Sequence, residues 1–326
     1  MILVTGASGQ VGSDLVPRLR TQYGDAQVLA SGRRWQPSQS GYEVLDVIDH
    51  PRLQALVEQY SIDTIYHLAG ILSAKGEHHP ESCWHVNIEG LRNVLKVAKD
   101  YQLKVFWPSS IAVFGPKTPK FNTPQDTVLA PSTLYGITKV TGELLCQYAA
   151  QRFGVDVRSL RLPGIVSYRA LPGGGTTDFT VEMFYAALQN KPYTCFVRPE
   201  TRLPMMYMPD AIQAMLQLMQ AEASALTVHT SYNLTAMSFT AAELATAIRQ
   251  QVPGFVCRYR PDFRQAIADS WPAVIDDAQA QKDWGWRPTY DLSIMVKDML
   301  HHLSKRLKSP AFYARPCPET PEVISC

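Results

Sequence analysis

Little in this chain points to an oxidising compartment, a membrane or a polyanionic partner. Six cysteines, at 83, 146, 195, 257, 317 and 326, are spread over 326 residues with no C-x-x-C pair. That excludes a disulfide scaffold and suits a reduced intracellular protein. No apolar run approaches the roughly 18 residues needed to cross a bilayer. Charge of either sign is not in excess: 31 basic against 29 acidic residues leave a net +2. Neither nucleic acid nor a membrane surface is therefore expected as a partner. Met1 runs straight into "ILVTG", an apolar strand, which leaves no room for a signal or transit peptide. A cytoplasmic location is expected, and no metal.

What is present suits a packed enzyme-sized fold. Hydrophobic residues make up 46% and charged residues 18%, which is globular composition. The first half alternates short apolar strands ("MILVTG", "AQVLASG", "YEVLDV", "TIYHLAG", "LKVFWPSS", "VDVRSLRLPG") with amphipathic helical stretches. This predicts an α/β fold with a Rossmann-type, doubly wound parallel sheet covered on both faces. Pro17 falls inside the first helix, where a local kink is expected. "PESCWHVNIEGLRNVLKVAKDY" reads as one long helix, and a cap is expected at Ser238 or Thr240. The rhythm changes near residue 166. A dinucleotide-binding unit is expected over 1–166, with segments near 205–235 returning to it. A smaller mixed substrate region would cover 167–204 and 236–303, and 304–326 reads as a loosely held tail.

"TGASGQVG" places Gly6, Gly9 and Gly12 between the first strand and the first helix. Free N–H groups, the positive end of the helix dipole and the missing side chains together suit a pyrophosphate. The second strand ends in "ASGRRW". An acid there takes the adenosine ribose hydroxyls, whereas arginine suits a 2′-phosphate. Gly32 is not an acid and Arg33 and Arg34 follow it, so these residues alone lean towards NADP. Either arginine could instead lie flat on the adenine, and Asp46 could hold its amino group.

In "TLYGITKV", Tyr135 and Lys139 stand four apart on one helical face. A phenol of ordinary pKa near 10 is a poor base at neutral pH, and a neighbouring ammonium favours its phenolate. Ser109 and Ser110 end the fifth strand, at the sheet edge where such folds bind ligands. A serine there would orient a substrate hydroxyl towards the phenolate.

"TGASGQVG", "HLAG", "VNIEGLRNVL", "PSSIAVFG" and "YGITK", in that order, resemble the extended short-chain dehydrogenase/reductases. The second half ("LPGGGTTDF", "YTCFVRPETRLPMMYMPDA", "YNLTAMSFTAAELA", "RQAIADSWP", "DDAQAQKDWGWRPTYDL") looks like the L-threonine 3-dehydrogenases of that superfamily. The resemblance implies oxidation of the β-hydroxyl of L-threonine by NAD, giving 2-amino-3-oxobutyrate. Tyr135 would be the general base, Lys139 would bind the ribose and lower the tyrosine's pKa, and Ser110 would hold the substrate hydroxyl. Ser8, Gln10 and Val11 with the three glycines, then Arg33, Asp46, Val47, Leu68, Ala69 and Leu162, would line the cofactor. Ser73, Ser109, Thr176, Thr177 and Trp271 would line the amino acid, and the glycine-rich loop would order over it. NAD-using members of this group usually carry aspartate where this chain has Gly32. A homodimer is expected through the helices near 80–100 and 133–153. Two competing readings are a nucleotide-sugar 4-epimerase, for which the second half offers only scattered arginines such as Arg198, Arg202 and Arg264, and a cofactor-binding scaffold without turnover.

Overall fold

The computed structural model describes residues 1–36, 40–169, 171 and 175–308. In chain order the strands are β1 Ile2–Thr5, β2 Val28–Gly32, β3 Tyr42–Val44, β4 Thr64–His67, β5 Lys104–Ser110, β6 Val157–Leu162, β7 Gly164–Val166, β8 Tyr193–Cys195, β9 Arg202–Tyr207, β10 Tyr232–Asn233, β11 Met237–Thr240 and β12 Cys257–Tyr259. Seven of them form one parallel sheet in the order β10-β6-β5-β4-β1-β2-β3. The chain moves from β1 outward to β2 and β3, then returns to β4 on the other side of β1. The order reverses between β1 and β4, and ligands of such sheets bind beyond the strand ends at that point. Three further strands pair as β11-β9-β7 and two as β12-β8.

The helices are α1 Gly12–Tyr23, α2 His50–Tyr60, α3 Ser73–His78, α4 Pro80–Trp84, α5 Gly90–Tyr101, α6 Leu134–Phe153, α7 Phe179–Leu188, α8 Met208–Gln220, α9 Ala241–Gln251, α10 Arg264–Ser270, α11 Ala278–Trp284 and α12 Leu292–Leu307. Leu15, Val16 and Leu19 of α1 join Met215 and Leu218 of α8 against one face of the large sheet. Leu53 of α2, Leu91 and Val94 of α5 and Cys146 of α6 cover the other. A third core, from Phe184 of α7 to Met299 of α12, packs around the smaller sheets. Residues 205–207 belong to β9 of a smaller sheet, whereas α8 and β10 lie on and in the large one.

Local chemistry explains several boundaries. Asp49 caps α2 by accepting from Arg52 N–H, and Pro51 sits in its first turn, where the missing N–H is harmless. Thr240 rather than Ser238 caps α9, in a reciprocal capping box with Glu243. Helix α1 runs on through Pro17 to Tyr23. The long helical stretch 80–101 is interrupted by a π-helical turn at His85–Glu89, an irregularity the apolar periodicity does not reveal. Ser304–Leu307 forms the last turn of α12, so that part of the expected tail is helical. No helix among the described residues is long and apolar enough to cross a membrane.

Candidate active site

A cavity of about 240 Å³ opens at the reversal point, beyond the ends of β1, β4, β5 and β6. Its floor is the glycine loop. Gly6 has φ +68°, in the left-handed region, and a Cβ there would lie 2.7 Å from the Ala69 nitrogen. A Cβ on Gly12 would lie 2.5 Å from the Gly6 carbonyl oxygen. Any larger residue at either place would push the loop off the strand ends, so the backbone stays bare and close where an anion would sit. Gly9, Gln10, Val11, Leu68 and Leu162 line the same cavity, and the Gln10 amide donates to the Ile165 carbonyl at 3.4 Å.

The wall opposite holds Ser110, Tyr135 and Lys139. Thr133 caps α6 by accepting from Gly136 N–H at 3.1 Å, which places Tyr135 in the first turn, buried at 9% exposure. Ser110 hydrogen-bonds the phenol and accepts from Ala112 N–H at 3.2 Å. Burial pushes the Tyr135 phenol up to about 12; the Ser110 hydrogen bond pulls it back, and the Cys83 thiol adds to the rise. The Lys139 ammonium donates to the Pro108 carbonyl at 2.6 Å and lies 4.5 Å from the Trp107 ring centre and 5.6 Å from that of Tyr135. Burial pulls Lys139 down to about 8, against the raising influence of Cys146, Cys83 and Glu143. Burial, not the Lys139 charge, sets the direction of the Tyr135 shift.

Thr176, Thr177, Ser73 and Trp271 also line the cavity. The Thr176 hydroxyl is buried and has no hydrogen-bond partner among the described residues, a costly state that a polar ligand would relieve. Trp271 is both cavity wall and core, at 6% exposure. Of the glycine-rich loop, Pro172, Gly173 and Gly174 lie outside the described residues.

Ser109 also reaches the cavity, but its hydroxyl donates to Glu143 Oε1 at 2.6 Å within a buried network. That proton is committed to Glu143, while Ser109 still lines the cavity. Ser8, Arg33, Asp46, Val47 and Ala69 do not line the cavity. Ser8 is exposed on the loop and bonds the Tyr42 hydroxyl, and Ala69 N–H donates to Thr5 at 3.4 Å. Asp46 accepts from Ile48 N–H at 3.3 Å, Val47 packs beneath Gly90, and Arg33 is exposed after β2.

Sequence reasoning missed three structural supports. Glu143 stands one turn beyond Lys139, and the spacing 135, 139, 143 was its available signal. Asn87 clamps the Ile71 backbone, accepting from its N–H at 2.8 Å and donating to its carbonyl at 3.1 Å. Tyr42 fills the space beside Gly32, and nothing local marks it.

The profile of the NAD dependent epimerase/dehydratase family matches residues 2–234. The chain belongs to that family. Its kinship extends beyond the matched region. An uncharacterized epimerase/dehydratase of Staphylococcus saprophyticus is 45% identical over 315 residues, spanning 94% of this chain and 98% of the relative. A GalE-like L-threonine dehydrogenase from Cupriavidus necator, solved in its holo form, superposes with TM-score 0.91 at 50% identity, covering 93% of this chain and 99% of the other. A monomeric L-threonine 3-dehydrogenase of metagenomic origin gives TM-score 0.91 at 49% identity, covering 94% and 99%. The family is defined by nicotinamide dinucleotide dependence, and the bare glycine cradle at the reversal point of this sheet fits such a group.

Proposed function

We propose that this protein oxidises the β-hydroxyl of L-threonine to a ketone, giving 2-amino-3-oxobutyrate, with NAD as oxidant. The observation that carries the reading is one cavity holding the glycine cradle, the Ser110–Tyr135–Lys139 wall and the buried Thr176 hydroxyl, which has no partner among the described residues. Its likeness along nearly the whole chain to proteins named L-threonine dehydrogenases supports the substrate. Bound NAD would supply the acceptor for the hydride leaving the β-carbon.

Each residue then has a stated task. Gly6, Gly9 and Gly12 keep backbone close to the pyrophosphate. Thr176 and Thr177 hold the polar head of the amino acid, and Ser73 and Trp271 fix its other side. Ser110 holds the hydroxyl oxygen against Tyr135. The Tyr135 phenolate takes the hydroxyl proton at its own oxygen, and Lys139 keeps positive charge beside it and reaches the ribose. Holding the reacting groups aligned supplies much of the rate.

Arg198, Arg202 and Arg264 give no support to a nucleotide-sugar epimerase. They are paired with Asp269, Glu243 and Asp262 respectively, and none lines the cavity. Ile137, Leu144 and Tyr148 are exposed along one face of α6, with Trp84 of α4 also exposed. This stripe supports a homodimer through these helices, and light scattering of the purified chain tests it; a monomer, as described for one relative, would refute it.

The test of function is nicotinamide reduction by purified protein and L-threonine. Tyr135→Phe is expected to abolish turnover while cofactor still binds. Loss of both together would mean that Tyr135 is structural.

A further inference from the structure

The end of β2, where an acid takes the adenosine ribose in dinucleotide folds, carries Gly32 instead. A Cβ on Gly32 would lie 2.5 Å from the Tyr42 hydroxyl and 3.7 Å from Ser8 Oγ. The space where a side chain at the end of β2 would begin is thus occupied by a phenol from the neighbouring strand. Tyr42 is 5% exposed. Its hydroxyl donates to the Arg34 carbonyl at 3.0 Å and is bonded by Ser8 of the glycine loop. It therefore ties three segments together: the loop, the β2 end and β3.

Arg33 and Arg34 are exposed and follow Gly32 directly. Of the nearby carboxylates, Glu43 pairs with Arg52 at 2.7 Å and accepts from Tyr60 at 2.6 Å, and Asp46 accepts from Ile48 N–H at 3.3 Å. An acid at the β2 end binds the ribose hydroxyls and repels a phosphate esterified there, and selectivity of this kind rests on the repulsive element. Guanidinium groups are the matching donors for a phosphate.

We propose that Tyr42, by filling the space beside Gly32, makes the adenosine subsite neutral-floored and arginine-rimmed, so that it takes the 2′-phosphorylated dinucleotide at least as well as the unphosphorylated one. This rests on the dinucleotide-dependent reading above. Tyr42 sets the selectivity by steric occupation: an aspartate at 32 cannot enter until the phenol oxygen leaves. Removing only that oxygen leaves the ring carbon Cζ at 3.7 Å, an ordinary contact.

The experiment measures binding of NADH and NADPH to the full chain by quenching of tryptophan emission. Wild type is expected to bind NADPH as tightly as NADH or more so. Arg33→Ala/Arg34→Ala, at exposed positions, is expected to weaken NADPH about tenfold more than NADH. Gly32→Asp/Tyr42→Phe is expected to swing the ratio towards NADH by about tenfold or more. Wild type that binds NADH but discriminates strongly against NADPH overturns the inference and leaves the dehydrogenase reading standing. Equal binding of both without threonine oxidation supports the inference and sinks the proposed reaction. Failure to bind either overturns both.

Discussion

Removing the Glu143 carboxylate strikes the junction of α6, β5 and β6 directly behind the Ser110–Tyr135–Lys139 wall. The residue is 1% exposed and Arg161 is 3% exposed. Glu143 accepts from Arg161 at 2.8 Å and 3.0 Å and from Ser109 at 2.6 Å. In Glu143→Ala the guanidinium keeps the Gln125 carbonyl at 2.9 Å and Asn233 Oδ1 at 3.0 Å but has no counter-charge. A buried charge left uncompensated in this way costs about 3–5 kcal/mol, a large part of the roughly 5–15 kcal/mol that holds a typical protein folded. Glu143→Gln retains an acceptor for Ser109 and is expected to cost less. Glu143→Met/Arg161→Met removes both charges and is expected to recover much of the loss, because apolar replacement of a whole buried pair is often neutral. The assay is equilibrium urea unfolding followed by tryptophan emission, read on the first transition because the chain has several cores. Turnover is measured alongside, since Ser110 adjoins Ser109 and should shift with it. A loss below about 1 kcal/mol in Glu143→Ala, or a double variant no more stable than the single, would refute the argument that this pair is dry and mutually dependent.

Three further outcomes follow from the same geometry. Thr176→Val removes a buried hydroxyl without a partner among the described residues, so the free protein should be unchanged or stabilised by up to about 1 kcal/mol, as melting curves check; KM for threonine should rise, as initial rates check. A base whose pKa is raised needs alkali, so kcat/KM should climb from pH 6 towards 8 and stop climbing above about 8, where Lys139 loses its charge; a flat profile from pH 6 to 9 would contradict a phenolate base. His67 is buried and held down to about 3 by desolvation first and by Lys139 second. Its depressed value means that the unfolded chain takes the proton first. Stability present above about 6.5 is lost as pH falls, by about 2 kcal/mol at pH 5, and His67→Asn should remove that dependence in acid-unfolding curves.

Much of the large sheet was legible because its signals are local. A short apolar run such as "ILVT", ended by the glycine turn that follows it, reads as a strand covered on both faces, and it is buried throughout. The glycine spacing and the Tyr135–Lys139 turn are likewise contiguous patterns that can be read without the fold. The short strands β8 and β12 carry no comparable run and are recognisable only once they pair. Helix α3, which carries Ser73, was equally silent: it has no side-chain cap at its start.

What the amino-acid order determined by itself was the alternation of strands and helices, the cradle at Gly6 and Gly12, and the residue types brought to the β5–α6 edge. The tertiary structure alone decided their chemical state. Ser109 and Glu143 are 34 residues apart and Ser8 and Tyr42 are 34 apart, yet each pair is bonded. Whether Tyr135 is a low or a high phenol depends on how much protein covers it. Spacing along a chain carries hydrogen-bonding capacity and periodicity; desolvation and steric occupation arise only when distant segments meet.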